Sequence, residues 1–213
     1  MKPPIVRRFA AVVALVAWFA LILQYGLLIA GTWDDIGPLL GALRYFSFFT
    51  ILSNLLVALT ATFAFVPARS ASANFFTTPR VRGAAALCIG ITCAIYFFLL
   101  ASTWAPQGAQ LVADVLLHYV VPALYVGWWI ACAEHGRLAW SDALSWLLFP
   151  LGFLLWTLAR GAWLHEYPYP FVDVGALGFG AVVCNALGIG TLFLIVGLML
   201  VAFDRAAGRR LQR

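Results

Sequence analysis

Apolar residues run along the chain in six long stretches, each closed by a short cluster of polar, charged, glycine or proline residues. A bilayer span needs about 20 mostly apolar residues at a rise of about 1.5 Å each. On that measure the pattern predicts helices over approximately 9–30, 41–66, 83–104, 111–133, 141–164 and 174–203. The first stretch is longer than the core of a secretion signal, so it predicts an uncleaved helix. Helix-closing signals stand at Asp34-Asp35, Pro67, Pro106-Gln107-Gly108 and His135-Gly136-Arg137. The segment Tyr167-Pro168-Tyr169-Pro170-Phe171 cannot be regular helix, because each proline removes a donor and restricts its predecessor. Its stiff backbone and aromatic rings suit either an interfacial cap or a rigid terminating loop. The last stretch exceeds what one span needs, and its glycines predict a tilted or close-packed helix rather than two spans.

Composition agrees with that pattern and excludes alternatives. Of 213 residues, 64% are hydrophobic and only 10% charged, and mean hydropathy is +0.98. A soluble domain needs a far more polar surface. The six stretches consume most of the chain, which leaves one membrane domain, residues 1–213, of class all-α: a polytopic six-helix bundle.

The formal charge of +5 does not point to nucleic acid, because the basic residues sit in short loops and tails. Lys2, Arg7, Arg8, then Arg69, Arg80, Arg82, then Arg137, then Arg205, Arg209, Arg210 and Arg213 fall on one side of a six-span count. The opposite loops hold Asp34, Asp35, Glu166 and Asp173. The positive-inside rule therefore predicts both termini on the cytoplasmic side. Cys88, Cys93, Cys132 and Cys184 all lie in apolar stretches, with no C-x-x-C pair and no zinc spacing. They read as small apolar packing residues, and the sequence implies neither metal nor cofactor.

Candidate chemistry lies in the few polar groups inside the spans, since ionisable residues in a bilayer are costly. Ser47, Thr50 and Asn54 are spaced i, i+3, i+7 on the second span, with Arg44 one turn above. They therefore share one face. Asp114 and His118 form an i, i+4 pair on the fourth, and Arg160 lies near the outer end of the fifth, ahead of His165 and Glu166. Counted from the outer ends of their helices, Thr50 and His118 lie at similar depths, about 13 Å and about 10 Å. A threonine hydroxyl becomes a nucleophile when a neutral histidine takes its proton. Asp114 then orients the imidazole, and Arg44, Arg160 or Asn54 stabilises an oxyanion or holds a carboxylate. The same residues also fit a structural charge network or ordinary helix–helix hydrogen bonds. Glu134 and His135 read as a solvated loop.

Three motifs carry a resemblance: Arg44-Tyr45-Phe46-Ser47-Phe48-Phe49-Thr50-Ile51-Leu52-Ser53-Asn54, Leu117-His118-Tyr119-Val120-Val121-Pro122 and Tyr167-Pro168-Tyr169-Pro170-Phe171-Val172-Asp173. In motif order and helix count the chain resembles bacterial six-helix membrane proteins distantly related to the androgen-induced protein family of animals. That family is known for threonine hydrolases that cleave fatty acid esters of hydroxy fatty acids within the bilayer. The resemblance implies Thr50 as nucleophile and His118 as its histidine partner. Ser47 competes for the nucleophile position, and Ser53-Asn54 stand where the animal pattern has an acidic residue.

The leading expectation is a lipid-ester hydrolase with Thr50 and His118 as the catalytic pair. Arg44, Ser47, Asn54, Asp114 and Arg160 support it or bind ligand, and membrane lipids are its partners. A non-enzymatic transporter or lipid-binding protein uses the same polar residues for recognition or proton relay. A scaffold uses them only to join helices.

Overall fold

A computed structural model describes residues 4–66 and 70–211, so Lys2, Pro67, Arg69 and Arg213 of the preceding section lie outside the described residues. Within them the chain is helical, with no β-strand among the described residues. Five helical segments are long and apolar enough to cross a membrane: Pro4–Thr32, Pro79–Leu100, Gly108–Cys132, Trp140–Leu164 and Phe179–Arg210. A bent pair, Gly37–Tyr45 with Phe49–Phe65, makes a sixth if it is counted as one span. Leu15, Ile22, Phe98, Leu155 and Leu187 are all more than half exposed. Large apolar side chains facing outward on helix after helix suit hydrocarbon, not water. The chain is an integral membrane protein.

The predicted second span is not one continuous helix. Helix α2 covers Gly37–Tyr45 and α3 covers Phe49–Phe65, and their axes bend by 74° at the break. No proline or glycine lies between them, so local propensity does not dictate the bend. Side-chain anchorage accounts for it. The indole of Trp156 donates to Ser47 Oγ at 3.1 Å, Phe48 packs edge-on to Tyr169, and Phe49 sits among Phe149, Phe153 and Phe193. Ser47–Phe49 accordingly group with the chain from Gly136 onward as one compact unit, while the chain up to Phe46 and Thr50–His135 form the other.

In the first unit, α1 (Pro4–Thr32) packs on α2, and on α6 (Gly108–Val115) and α7 (Val121–Cys132). Gly41 allows the close approach of α2: a Cβ there would stand 2.7 Å from Thr32 Oγ1. Two helices start with side-chain caps that satisfy first-turn amides. Ser70 opens α4 (Ala71–Thr77), which the sequence pattern did not predict, and Thr78 opens α5 (Pro79–Ile95). Helix α5 passes into a π-helical turn, Tyr96–Leu100, and α6 is joined to α7 by a second, Leu116–Val120. The core is small and aromatic by turns, with Ala10, Ala17, Ala85, Trp128 and Tyr125 fully or almost fully buried.

In the second unit, α8 (Trp140–Ser145) and α9 (Leu148–Leu164) follow each other across a two-residue turn. Prolines in 168–170 end the helical run as expected, leaving a 3-10 turn at Pro170–Val172. The predicted last helix is corrected at both ends. Val174–Leu177 (α10) is a separate turn closed by Gly178 at φ +77°, and α11 runs Phe179–Leu211, so Arg205, Arg209 and Arg210 are helical. Asp204, buried on α11, accepts from the amides of Gly136 at 3.0 Å and Leu138 at 2.9 Å. Gly136 takes φ +82° there, a conformation that favours glycine.

Candidate active site

Thr50 lies in the first turn of α3, not nine residues into a long helix, because the chain breaks at 46–48. The depth counted from residue 41 therefore does not apply. Thr50 is 8% exposed, and its Oγ1 stands 3.3 Å from His118 Nε2. The other ring nitrogen, Nδ1, stands 3.0 Å from the Asp114 carbonyl oxygen and 3.2 Å from Asp114 Oδ1. A carbonyl can only accept, so the proton belongs on Nδ1 and the lone pair on Nε2 faces the threonine hydroxyl. The carbonyl contact is the shorter of the two and takes the hydrogen bond, while the carboxylate supplies charge beside it. That is the arrangement a general base requires.

The backbone around His118 is unusual, and its cause is in the sequence. Val121 N–H bonds the Leu116 carbonyl, an i→i+5 step of a π turn. In that register the Leu117 carbonyl faces residue 122, which is a proline without an N–H. Asn54 fills the vacancy: its Nδ2 donates to Leu117 O at 3.1 Å and to Thr50 O at 2.8 Å. Asn54, fully buried, thus ties the helix of the threonine to the helix of the histidine.

Sequence reasoning missed two residues here. Tyr96 stacks on the His118 ring, with centroids 3.7 Å apart and planes 12° from parallel. Its hydroxyl donates to Asp114 Oδ2 at 2.6 Å and accepts from Trp104 Nε1 at 3.1 Å. A signal existed. Buried tyrosines need a partner for the hydroxyl, and Asp114, 4% exposed, is a carboxylate that needs donors. Pairing the two was possible on paper.

The other expected site residues have contacts of their own. Ser47, in the break, receives the Trp156 indole and does not share the α3 face with Thr50 and Asn54, because no helix connects them. Arg44 is half-buried in the last turn of α2, where its charge complements the helix dipole. Arg160, 3% exposed, pairs through Nη2 with the Glu166 carboxylate and through Nη1 with the Glu166 carbonyl at 3.2 Å. His165 caps α9 in the left-handed conformation, φ 52°. Among the described residues, no group of three or more His, Cys, Asp or Glu comes together as a metal site.

An apolar cavity of about 280 Å³ opens in the same unit, lined by Trp18, Ile22, Tyr25, Phe46, Ile51 and Leu55 among others. Its volume approaches the lower end of small-molecule sites, roughly 300 Å³, and its lining suits a hydrocarbon. Tyr45 at its wall spends its hydroxyl on the Leu21 carbonyl at 2.7 Å, which leaves the cavity with little to offer a polar ligand. No protein-family model, curated protein or solved structure matches this chain.

Proposed function

We propose that this protein is an intramembrane hydrolase of lipid esters, with Thr50 as nucleophile and His118 as general base. The observation that carries the reading is the 3.3 Å contact between Thr50 Oγ1 and His118 Nε2, made while Nδ1 is held by Asp114. In the proposed reaction His118 Nε2 takes the hydroxyl proton as Oγ1 attacks the ester carbonyl carbon. The oxyanion forms beside the first turn of α3, where helix amides carry positive partial charge. Collapse breaks the bond to the leaving alkoxide, which takes the proton from Nε2 and departs as an alcohol. Water, deprotonated by the same nitrogen, then cleaves the acyl-threonine, releasing the carboxylic acid and restoring Oγ1–H. Asp114 stabilises the imidazolium between the two proton transfers.

The reading extends to topology and setting. Six spans, with α2 and α3 forming one broken span, put both termini on the cytoplasmic side on the strength of the arginine-rich loops, and the resemblance to bacterial six-helix proteins makes the membrane a bacterial inner membrane. Substrate tails lie in lipid or in the apolar cavity, and the ester approaches Thr50 from the outer leaflet. The motif resemblance to the androgen-induced protein family supports the same assignment of threonine and histidine.

The test is activity-based labelling of membranes with a fluorophosphonate probe. Wild type and Ser47→Ala label, and Thr50→Ala and His118→Ala do not. Labelling that persists in Thr50→Ala removes the proposed nucleophile. A second reading, transport of a small molecule, draws on the 74° break in the second span, since broken helices commonly line substrate paths. It predicts movement into proteoliposomes that survives Thr50→Ala.

A further inference from the structure

His118 has a base's lone pair only while its ring keeps one tautomer and one orientation. The Asp114 carbonyl secures the Nδ1 edge, but one hydrogen bond leaves the ring free to pivot about it. Tyr96 removes that freedom. Its ring lies against the imidazole face at 3.7 Å and 12°, so the plane of His118 is set by a stacked neighbour and its edge by a hydrogen bond. With plane and edge both held, Nε2 points in one direction.

The Tyr96 hydroxyl adds a second constraint. Trp104 Nε1 can only donate, and it donates to Tyr96 Oη at 3.1 Å. The phenolic proton is therefore directed away from the indole and onto Asp114 Oδ2, at 2.6 Å. That bond turns the carboxylate so that its other oxygen, Oδ1, stays 3.2 Å from His118 Nδ1. The chain of contacts starts at Trp104, 45% exposed, and runs inward to groups that are almost wholly buried.

We propose that Tyr96 is the positioning residue of His118, its ring setting the imidazole plane and its hydroxyl, oriented by Trp104, setting the carboxylate behind Nδ1. The inference rests on the reading of Thr50 and His118 as nucleophile and base. Tyr96→Phe keeps the stack and the tautomer, which the Asp114 carbonyl holds, but frees the carboxylate to rotate away from His118 Nδ1.

The experiment combines fluorophosphonate inactivation kinetics with nitrogen-15 NMR of histidine-labelled protein in lipid nanodiscs, the His118 signals assigned by their loss in His118→Gln. In wild type, His118 shows a single tautomer protonated at Nδ1. In Tyr96→Phe the inactivation rate constant falls on the order of 10- to 100-fold with the probe's KI unchanged, because orientation rather than binding is lost. The His118 ring of that variant stays protonated at Nδ1, and its Nδ1 signal moves as Oδ1 leaves its side. Trp104→Phe, at a site 45% exposed, gives a smaller loss in the same direction and stands in if Tyr96→Phe fails to fold. Wild-type kinetics and an unchanged His118 spectrum in both variants overturn the proposal and leave the hydrolase reading intact. A wild type that never labels overturns the hydrolase reading instead. The nitrogen spectrum then decides alone: an unchanged Nδ1 signal in Tyr96→Phe refutes the positioning role, and a displaced one supports it.

Discussion

Thr50 Oγ1 and His118 Nε2 meet at 3.3 Å although 68 residues separate them in the chain. Two local irregularities produce the meeting. The break after Tyr45 makes Thr50 a first-turn residue of α3, and the π turn at Leu116–Val120 rotates the histidine relative to a regular α-helix. Asn54 then bonds the two helices at the carbonyl that Pro122 leaves without a partner. The contact of this pair depends on backbone irregularity as much as on side-chain identity.

Thr50→Ser keeps a hydroxyl opposite His118 and retains labelling and turnover, whereas Thr50→Val, of similar shape, abolishes both. His118→Gln lowers the rate by on the order of 10² to 10⁴, the usual contribution of a general base. Probe kinetics alongside circular dichroism check that folding is unchanged.

Asn54→Leu strips the buried Leu117 carbonyl of its donor and lowers stability by about 1–2 kcal/mol. Pro122→Ala returns a backbone N–H to the same carbonyl, so in the double variant part of the loss is recovered. Thermal unfolding in detergent measures both. Equal melting points for Asn54→Leu with and without Pro122→Ala would remove proline as the origin of the vacancy.

Glu166→Gln destabilises the protein because Arg160, 3% exposed, loses its counter-charge while remaining buried. Replacing both by leucine costs less than Glu166→Gln alone, since no uncompensated charge remains. Melting temperatures of the two variants and wild type rank the three directly.

Gly161→Ala drives a methyl group into the ring of Tyr167. Overpacking of this kind costs about 1–3 kcal/mol, and the 167–171 segment shifts with the ring. Greater protease accessibility between α9 and α11, with the melting point lowered, is the expected result.

Topology is tested by single engineered cysteines in a background freed of Cys88, Cys93, Cys132 and Cys184. Asp34→Cys reacts with a membrane-impermeant maleimide in intact cells, and Arg137→Cys reacts only after permeabilisation. The reverse pattern inverts the assignment.

The chain determined a great deal by itself. Apolar stretches of bilayer length, separated by charge, proline and glycine, dictate an all-helical membrane protein, because hydrocarbon leaves no other partner for backbone amides. The same one-dimensional pattern marks Thr50, His118 and Asp114 as polar groups that need a reason to be inside. The tertiary structure decided what no periodicity encodes. Ser47 has helix-compatible neighbours on both sides, yet it leaves the helix because Trp156 and a cluster of phenylalanines hold residues 47–49. Tyr96, one aromatic among many in an apolar run, acquires its place only when folding sets it 3.7 Å from His118 and 2.6 Å from Asp114. Span length and charge are additive along a chain and survive in sequence. Bends, stacking and shared hydrogen bonds are properties of pairs far apart in it, and they come into being only when those pairs meet.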